Sequence, residues 1–290
     1  MVQKVVDYKC KRSDTAGISE KIITDLKLEF PKSYNNASIM AEISLAIKKE
    51  EGNRVCLLPF CHTVEAEALG GMINLSEGKF GPRVATYAYN SEEELLQLQE
   101  IDFSQGRIGE VLKACQILKA HGEKVVLEVS GFFTILNSLI DVTKIFKAWR
   151  KDARTVEKIF NFLANNLYLF FKEAKKAGVA IVSYADPAGS VNIIGPKYTE
   201  LVARDFTVPF LKKAAALADN NFMIHLCPKT SLILLSLELT ARKTLDLDRR
   251  INYVEACLMA IGREKIIGQA CIKDARTVLN HGKIIALQFV

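Results

Sequence analysis

Two periods alternate along the chain. Short continuous apolar runs bounded by Gly, Pro or Asn are followed by longer stretches with apolar residues every three or four positions. The first kind predicts strands buried on both faces, the second amphipathic helices. Strands are predicted at residues 55–60, 84–89, 124–129, 179–184, 222–227, 244–245, 265–271 and 283–289. Helices are predicted at 18–30, 38–51, 92–98, 108–120, 132–149, 153–176, 196–217 (bent at Pro209), 231–239, 251–261 and 274–279. Between 61 and 71 a further short helix is expected, with Thr63 as N-cap, Glu65 and Glu67 in the first turns and Gly70-Gly71 as the stop.

Strands separated by helices predict a parallel sheet. Eight such units in ~240 residues match a (β/α)₈ TIM barrel, with an open doubly wound sheet as the alternative. No G-x-G-x-x-G follows a strand and no G-x-x-x-x-G-K-[ST] occurs, so the nucleotide-binding signatures are missing. Residues 1–53 read as an N-terminal helical extension packed on the barrel, and 54–290 as the barrel itself. Within the extension, Lys11-Arg12-Ser13-Asp14-Thr15 is a polar stretch and 31–36 a turn-rich linker.

Composition changes this picture little. The 290 residues are 49% hydrophobic and 25% charged, as in ordinary globular proteins. The formal net charge is +6, from 39 basic and 33 acidic residues without a block of like charge. That disfavours nucleic acid and suits an anionic ligand or an acidic partner equally. Met1-Val2-Gln3-Lys4 lacks the apolar run of a signal peptide, and no stretch has the length of a membrane span. The seven cysteines form no C-x-x-C pair. The expectation is a cytoplasmic protein with free thiols and no membrane association.

In a barrel, the chemistry gathers where strands run into their following loops. His62 and Glu65 follow the first strand, Asp186 follows the strand at 179–184, and Cys271 ends a late one. His225 and Cys227 lie two apart at the end of another, so they point to one face and aim a nitrogen and a sulfur at one place. Each has an ordinary structural reading: buried Cys is common, Asp before Pro is a turn residue, and Glu65 suits a helix N-terminus. Together, an imidazole and two thiolates make three zinc ligands and leave a fourth position open, as in catalytic zinc sites. Such a sulfur-rich centre favours a nucleophilic thiolate over an acidified water.

The stretch Leu58-Pro59-Phe60-Cys61-His62-Thr63-Val64-Glu65-Ala66-Glu67-Ala68-Leu69-Gly70 closely resembles the PF-x-x-T-V-E-A-E-x-x-G segment of methylcobamide:coenzyme M methyltransferases. These are members of the uroporphyrinogen decarboxylase superfamily. Ala185-Asp186-Pro187-Ala188 resembles the superfamily's Asp-Pro loop, and Ile224-His225-Leu226-Cys227 the zinc-binding His-x-Cys of the methyltransferase branch. The resemblance implies a uroporphyrinogen decarboxylase-like (β/α)₈ barrel with a shortened N-terminal region. It also implies zinc held by His225 and Cys227, with Cys271 the candidate for the third ligand. The implied reaction moves a methyl group from a methylcobamide on a partner corrinoid-binding protein to a small-molecule acceptor. Coenzyme M, another thiol and tetrahydrofolate stay open as that acceptor. His62 has no family role and stands as a fourth ligand or a substrate contact, with Asp186 and Glu65 as further catalytic candidates. In the family the third Cys lies later, near the last strand, whereas Cys271 is the last in this chain. The alternatives are a uroporphyrinogen decarboxylase-type carboxy-lyase and a non-catalytic barrel that binds a corrinoid protein.

Overall fold

The computed structural model describes residues 5, 8–10, 17–75 and 80–290. The stretches Met1-Val2-Gln3-Lys4 and Lys11-Arg12-Ser13-Asp14-Thr15 lie outside the described residues. The chain opens with helices α1 (Glu20–Asp25) and α2 (Ala37–Glu51), then strand β1 (Cys56–Leu58) and helix α3 (Val64–Ala68). A hairpin of β2 (Met72–Asn74) and β3 (Arg83–Thr86) leads to α4 (Glu92–Leu95), α5 (Gly106–Ala120) and β4 (Val125–Ser130). Helices α6 (Phe132–Leu139), α7 (Val142–Lys151) and α8 (Ala153–Lys176) precede β5 (Ile181–Ala185). Helices α9 (Val191–Val202) and α10 (Val208–Ala214) precede β6 (Met223–Leu226), then α11 (Pro228–Ser236), β7 (Thr240–Asp246) and β8 (Ile251–Asn252). The chain closes with α12 (Tyr253–Ala260), β9 (Ile266–Ile267), β10 (Val278–Leu279) and β11 (Lys283–Phe289).

Seven strands form the main sheet in the order β1-β4-β5-β6-β9-β11-β7. β1, β4, β5, β6 and β9 pair in parallel, as the βα alternation predicts. This is the α/β barrel sheet expected from the sequence, with one departure: β11 runs antiparallel between β9 and β7. No crossover helix lies between β9 and β11, so the chain is not carried back to the other end of the sheet and the last strand returns in the opposite sense.

The register sorts side chains into layers, because neighbours across a ladder share a face. Val126, Ile181 and Met223 stand side by side and belong to an apolar cluster with Tyr253, Val254 and Cys257 of α12. Two residues further along the strands, Glu128, Ser183 and His225 stand side by side on that same face. The inner face is therefore apolar in one layer and polar in the next. The opposite face, with Leu127, Val182 and Ile224, packs in the larger cluster that includes α5, α8 and α10. There Phe160 touches Phe132, Phe133, Trp149 and Phe206, with ring centroids 4.4–5.7 Å apart.

Several local expectations are corrected. The predicted helix at 132–149 divides at Ile140 because Asp141 caps a new one, its carboxylate accepting from the Thr143 amide at 2.9 Å. Residues 84–89 join no barrel strand; β3 pairs only with β2, among the described residues. The bend expected at Pro209 takes the form of a π turn at Ala203–Thr207 immediately before α10. Proline lacks the amide that an unbroken α-helix would use there. Residues 274–279 are not helical. Asp274 accepts from the Arg276 amide and the Thr277 hydroxyl, and this side-chain turn delivers β10 antiparallel to β8. Thr63 makes no capping bond; its hydroxyl donates to the Cys61 sulfur instead.

Candidate active site at the strand ends

A cavity of about 410 Å³ opens where the parallel strands end. Its wall takes Cys61 and His62 after β1, Ser183 from β5, His225 and Cys227 at the end of β6, and Cys271 after β9. Four of the predicted site residues, His62, His225, Cys227 and Cys271, are therefore brought to one space. Glu65 and Asp186 are not on its wall.

His225 is the best-fixed member. It is 1% exposed and both ring nitrogens are engaged. Nε2 lies 3.0 Å from the Ala270 carbonyl oxygen, which can only accept, so Nε2 carries the proton. Nδ1 then holds the lone pair and accepts from the Ser183 hydroxyl at 2.9 Å. Burial holds the imidazole down at about 4, so it is neutral at pH 7. Ala270 immediately precedes Cys271, and the predicted strand at 265–271 covers only Ile266–Ile267. Gly268 ends it: a Cβ there would fall 2.8 Å from the Ser231 side chain. Cys271 thus sits on a loop. Burial pushes the Cys227 thiol up to about 12 and the Cys271 thiol up as well.

Glu128 and Lys273 complete the polar layer, and sequence reasoning missed both. Lys273 Nζ is 2.6 Å from Glu128 Oε2. Burial opposes the Glu128 charge, but the Lys273 ammonium beside it holds its carboxyl below the ordinary range. The signal for Glu128 was a lone charge inside the apolar run Val125-Val126-Leu127-Glu128-Val129. For Lys273 and for Ser183 no comparable signal exists.

The two remaining carboxylates serve the scaffold. Asp186 accepts from the amides of Phe133 and Thr134 and from the Thr134 hydroxyl, at 2.8–3.1 Å, and so caps the start of α6. It presses against Gly131, where a Cβ would lie 2.3 Å from its own. Burial nonetheless pushes its carboxyl up. Glu65 accepts from the Ser130 amide at 2.8 Å with one oxygen, while the other is buried without a hydrogen-bond partner among the described residues. Burial pushes Glu65 up too. Beside it, the buried Arg107 donates to Glu67, Thr63 and Cys61, at 2.6, 2.8 and 3.0 Å. The Thr-Val-Glu-Ala-Glu segment is thereby locked to α5 and β4. His62 Nδ1 is buried and has no hydrogen-bond partner among the described residues.

Among the described residues, no three His, Cys, Asp or Glu side chains stand close enough together to share a metal ion. In kind, the donors suit zinc. They comprise a neutral imidazole with one nitrogen anchored on a carbonyl, which is the usual support of a ligating histidine, and free thiols at the same wall.

Layered interior and polar strand ends define an α/β-barrel protein with its candidate site at the strand ends. The uroporphyrinogen decarboxylase (URO-D) family pattern matches residues 15–271, and the chain belongs to that family. Among curated proteins it is similar to the methylcobamide:CoM methyltransferase MtaA of Methanosarcina barkeri, 24% identical over 259 residues, covering 87% of this chain and 74% of that protein. It is also similar to the methylcobamide:CoM methyltransferase MtbA of Methanosarcina mazei, 25% identical over 237 residues, covering 78% and 67%. A solved structure, a methyltransferase from Methanosarcina mazei, shares the fold with a TM-score of 0.64 at 23% identity, over 78% of this chain and 66% of that one. No helix among the described residues is long and apolar enough to cross a membrane.

Proposed function

We propose that the protein is a zinc-dependent methyltransferase that moves a methyl group from a protein-bound methylcobamide to a thiol such as coenzyme M. The observation that carries this reading is the meeting of His225, Cys227 and Cys271 at one cavity, with His225 Nε2 tied to the backbone beside Cys271. The names of the curated relatives support the corrinoid donor, its carrier protein and the small-molecule acceptor.

His225 would offer Nδ1 once the Ser183 hydroxyl turns away, and Cys227 and Cys271 would offer sulfurs after losing their protons. Zinc held there would keep the acceptor thiol as a nucleophilic thiolate. The chemistry supplied there would be attack of that thiolate on the methyl group of the partner's methylcobamide, forming S–CH₃ as Co–CH₃ breaks with its electron pair left on cobalt. The acceptor proton would pass to a base on the cavity wall, a role open to His62, whose Nδ1 has no hydrogen-bond partner among the described residues. Lys273 and Glu128 hold the polar floor in place beneath. Asp186 and Glu65, turned into the scaffold, act by positioning the strand ends.

The reading is tested by metal analysis of the purified protein and by incubation with methylcobalamin and coenzyme M. One zinc per chain with methyl-coenzyme M formation is expected. A well-folded protein that takes up no zinc sinks the proposal. The tetrahydrofolate acceptor is tested in the same assay by exchanging the thiol.

A further inference from the structure

The loop after β9 carries Cys271, and two polar contacts fasten it to the strand ends, one on each side of that residue. Ahead of Cys271, the Ala270 carbonyl oxygen accepts from His225 Nε2 at 3.0 Å. Beyond it, Lys273 Nζ lies 2.6 Å from Glu128 Oε2. Both anchors belong to the same polar layer, since Glu128 of β4 and His225 of β6 flank Ser183 of β5 across the ladder. Between them Ile272 is buried and joins the apolar cluster with Tyr253 and Val254. That burial gives the loop depth but no direction, because hydrophobic contact is not directional. Glu128 is the odd residue of its strand. It is the one charged residue of β4, its side chain is 6% exposed, and its counter-charge comes from this distant loop. A carboxylate so placed is costly to leave unpaired. The pair therefore couples the charge buried in the barrel wall to one position of the Cys271 loop.

We propose that Glu128 and Lys273 are positioning residues for Cys271, holding its loop against the strand ends so that the thiol stays on the cavity wall. The bearing of this on catalysis rests on the methyl-transfer reading above; the placement of the thiol calls for no metal. A lysine that merely neutralised Glu128 would serve from any place within reach of the carboxylate. Lys273 instead stands two residues from the thiol, on a backbone whose course is fixed. Ile272 is buried beside it, and the Cys271 carbonyl accepts from the Asp274 amide at 3.1 Å. A displacement of Lys273 is therefore passed on to Cys271. The bond at Ala270 alone would let the loop pivot about the His225 ring, and the second anchor stops that pivot.

The metal-free full chain tests this through hydrogen exchange of the 268–274 loop and alkylation of Cys271 by iodoacetamide, both resolved by peptide mass spectrometry. The informative variant is Glu128→Gln/Lys273→Met, which breaks the tie, strands no buried charge and leaves the net charge unchanged. Its melting temperature should lie close to that of wild type. Its loop amides should nevertheless exchange about tenfold faster, and Cys271 should be alkylated faster by a similar factor. Lys273→Met alone should open the loop in the same way and also melt at a lower temperature, because the carboxylate then stays buried without its partner. A double variant with wild-type exchange and wild-type alkylation would overturn the proposal, since a pure counter-charge role predicts that result. A wild-type chain that forms no methyl-coenzyme M from methylcobalamin would instead sink the methyl-transfer reading, and the exchange rates would still decide whether the pair anchors the loop.

Discussion

The imidazole of His225 donates its Nε2 proton to the carbonyl oxygen of Ala270, 3.0 Å away, and so ties the end of β6 to the loop that carries Cys271. One hydrogen bond settles the tautomer of the ring and the approach of the next strand's thiol. Ala270 contributes only its backbone, so no side chain advertises the bond.

Cys227→Ala should remove both zinc and methyl transfer while leaving the fold intact. Loss of one sulfur from a three-ligand set is expected to weaken metal binding by at least about 10²-fold. Zinc content by elemental analysis, with a melting curve as the fold control, decides it. A variant that keeps its metal would strip Cys227 of the assigned role.

Ser183→Ala should matter only without metal. Its hydroxyl satisfies His225 Nδ1, and removing it leaves a buried acceptor unpaired at a cost of about 1–3 kcal/mol. With zinc on Nδ1 that hydrogen bond is replaced, and the penalty should vanish. Urea unfolding of the variant and wild type, each with and without zinc, reads out the difference. An equal penalty in both states would place the metal elsewhere.

Glu65→Gln should stabilise the protein more as pH rises. Burial raises the folded pKa of Glu65 above its unfolded value of 4.5, so the folded chain keeps a proton that the unfolded chain has given up. Its contribution is therefore fully present below 4.5 and is lost as pH climbs through the raised folded value. Glutamine keeps an oxygen for the Ser130 amide and has no charge to bury. Unfolding midpoints at pH 5 and 8 should diverge in the variant's favour at the higher pH. A difference independent of pH would mean that Glu65 ionises as easily folded as unfolded.

Arg107→Met should be among the most damaging single changes outside the cavity. The guanidinium is 5% exposed and serves Glu67, Thr63 and Cys61 at once. Glu67 is partly exposed, so removing the guanidinium is expected to cost no more than the lower end of the ~3–5 kcal/mol of a fully buried pair. A chemical denaturation curve measures it, and Glu67→Gln in the same background should recover part of the loss. No recovery would indicate that packing, and not charge, sets the cost.

The barrel was legible because its parallel strands are apolar on both faces and its helices are periodic. Seven of the eight predicted strands lie in the main sheet. What failed to show was direction and local turn chemistry. The apolar run at 283–289 has the residue types of any strand and carries no mark of its direction, although in the fold it is only partly buried while β4 and β5 are buried throughout. The Asp274 turn mimics a helix start, because aspartate accepts from the same nearby amides in either case. The site was partly legible: His225 and Cys227 follow from spacing at a strand end. Asp186 and Glu65 sit in recognisable motifs, yet the motif residues do their work by bracing α6 and β4 from behind the wall. Glu128, Ser183 and Lys273 face the cavity through register and a distant loop, which only the paired strands reveal.

The reversal of β11 decides from which pole the polypeptide exits. Because that strand runs against its parallel neighbours, Val290 emerges at the base, remote from the rim where Cys227 and Cys271 lie. An affinity handle or a surface linkage attached through Val290 would leave that rim clear for a bulky macromolecular donor to land.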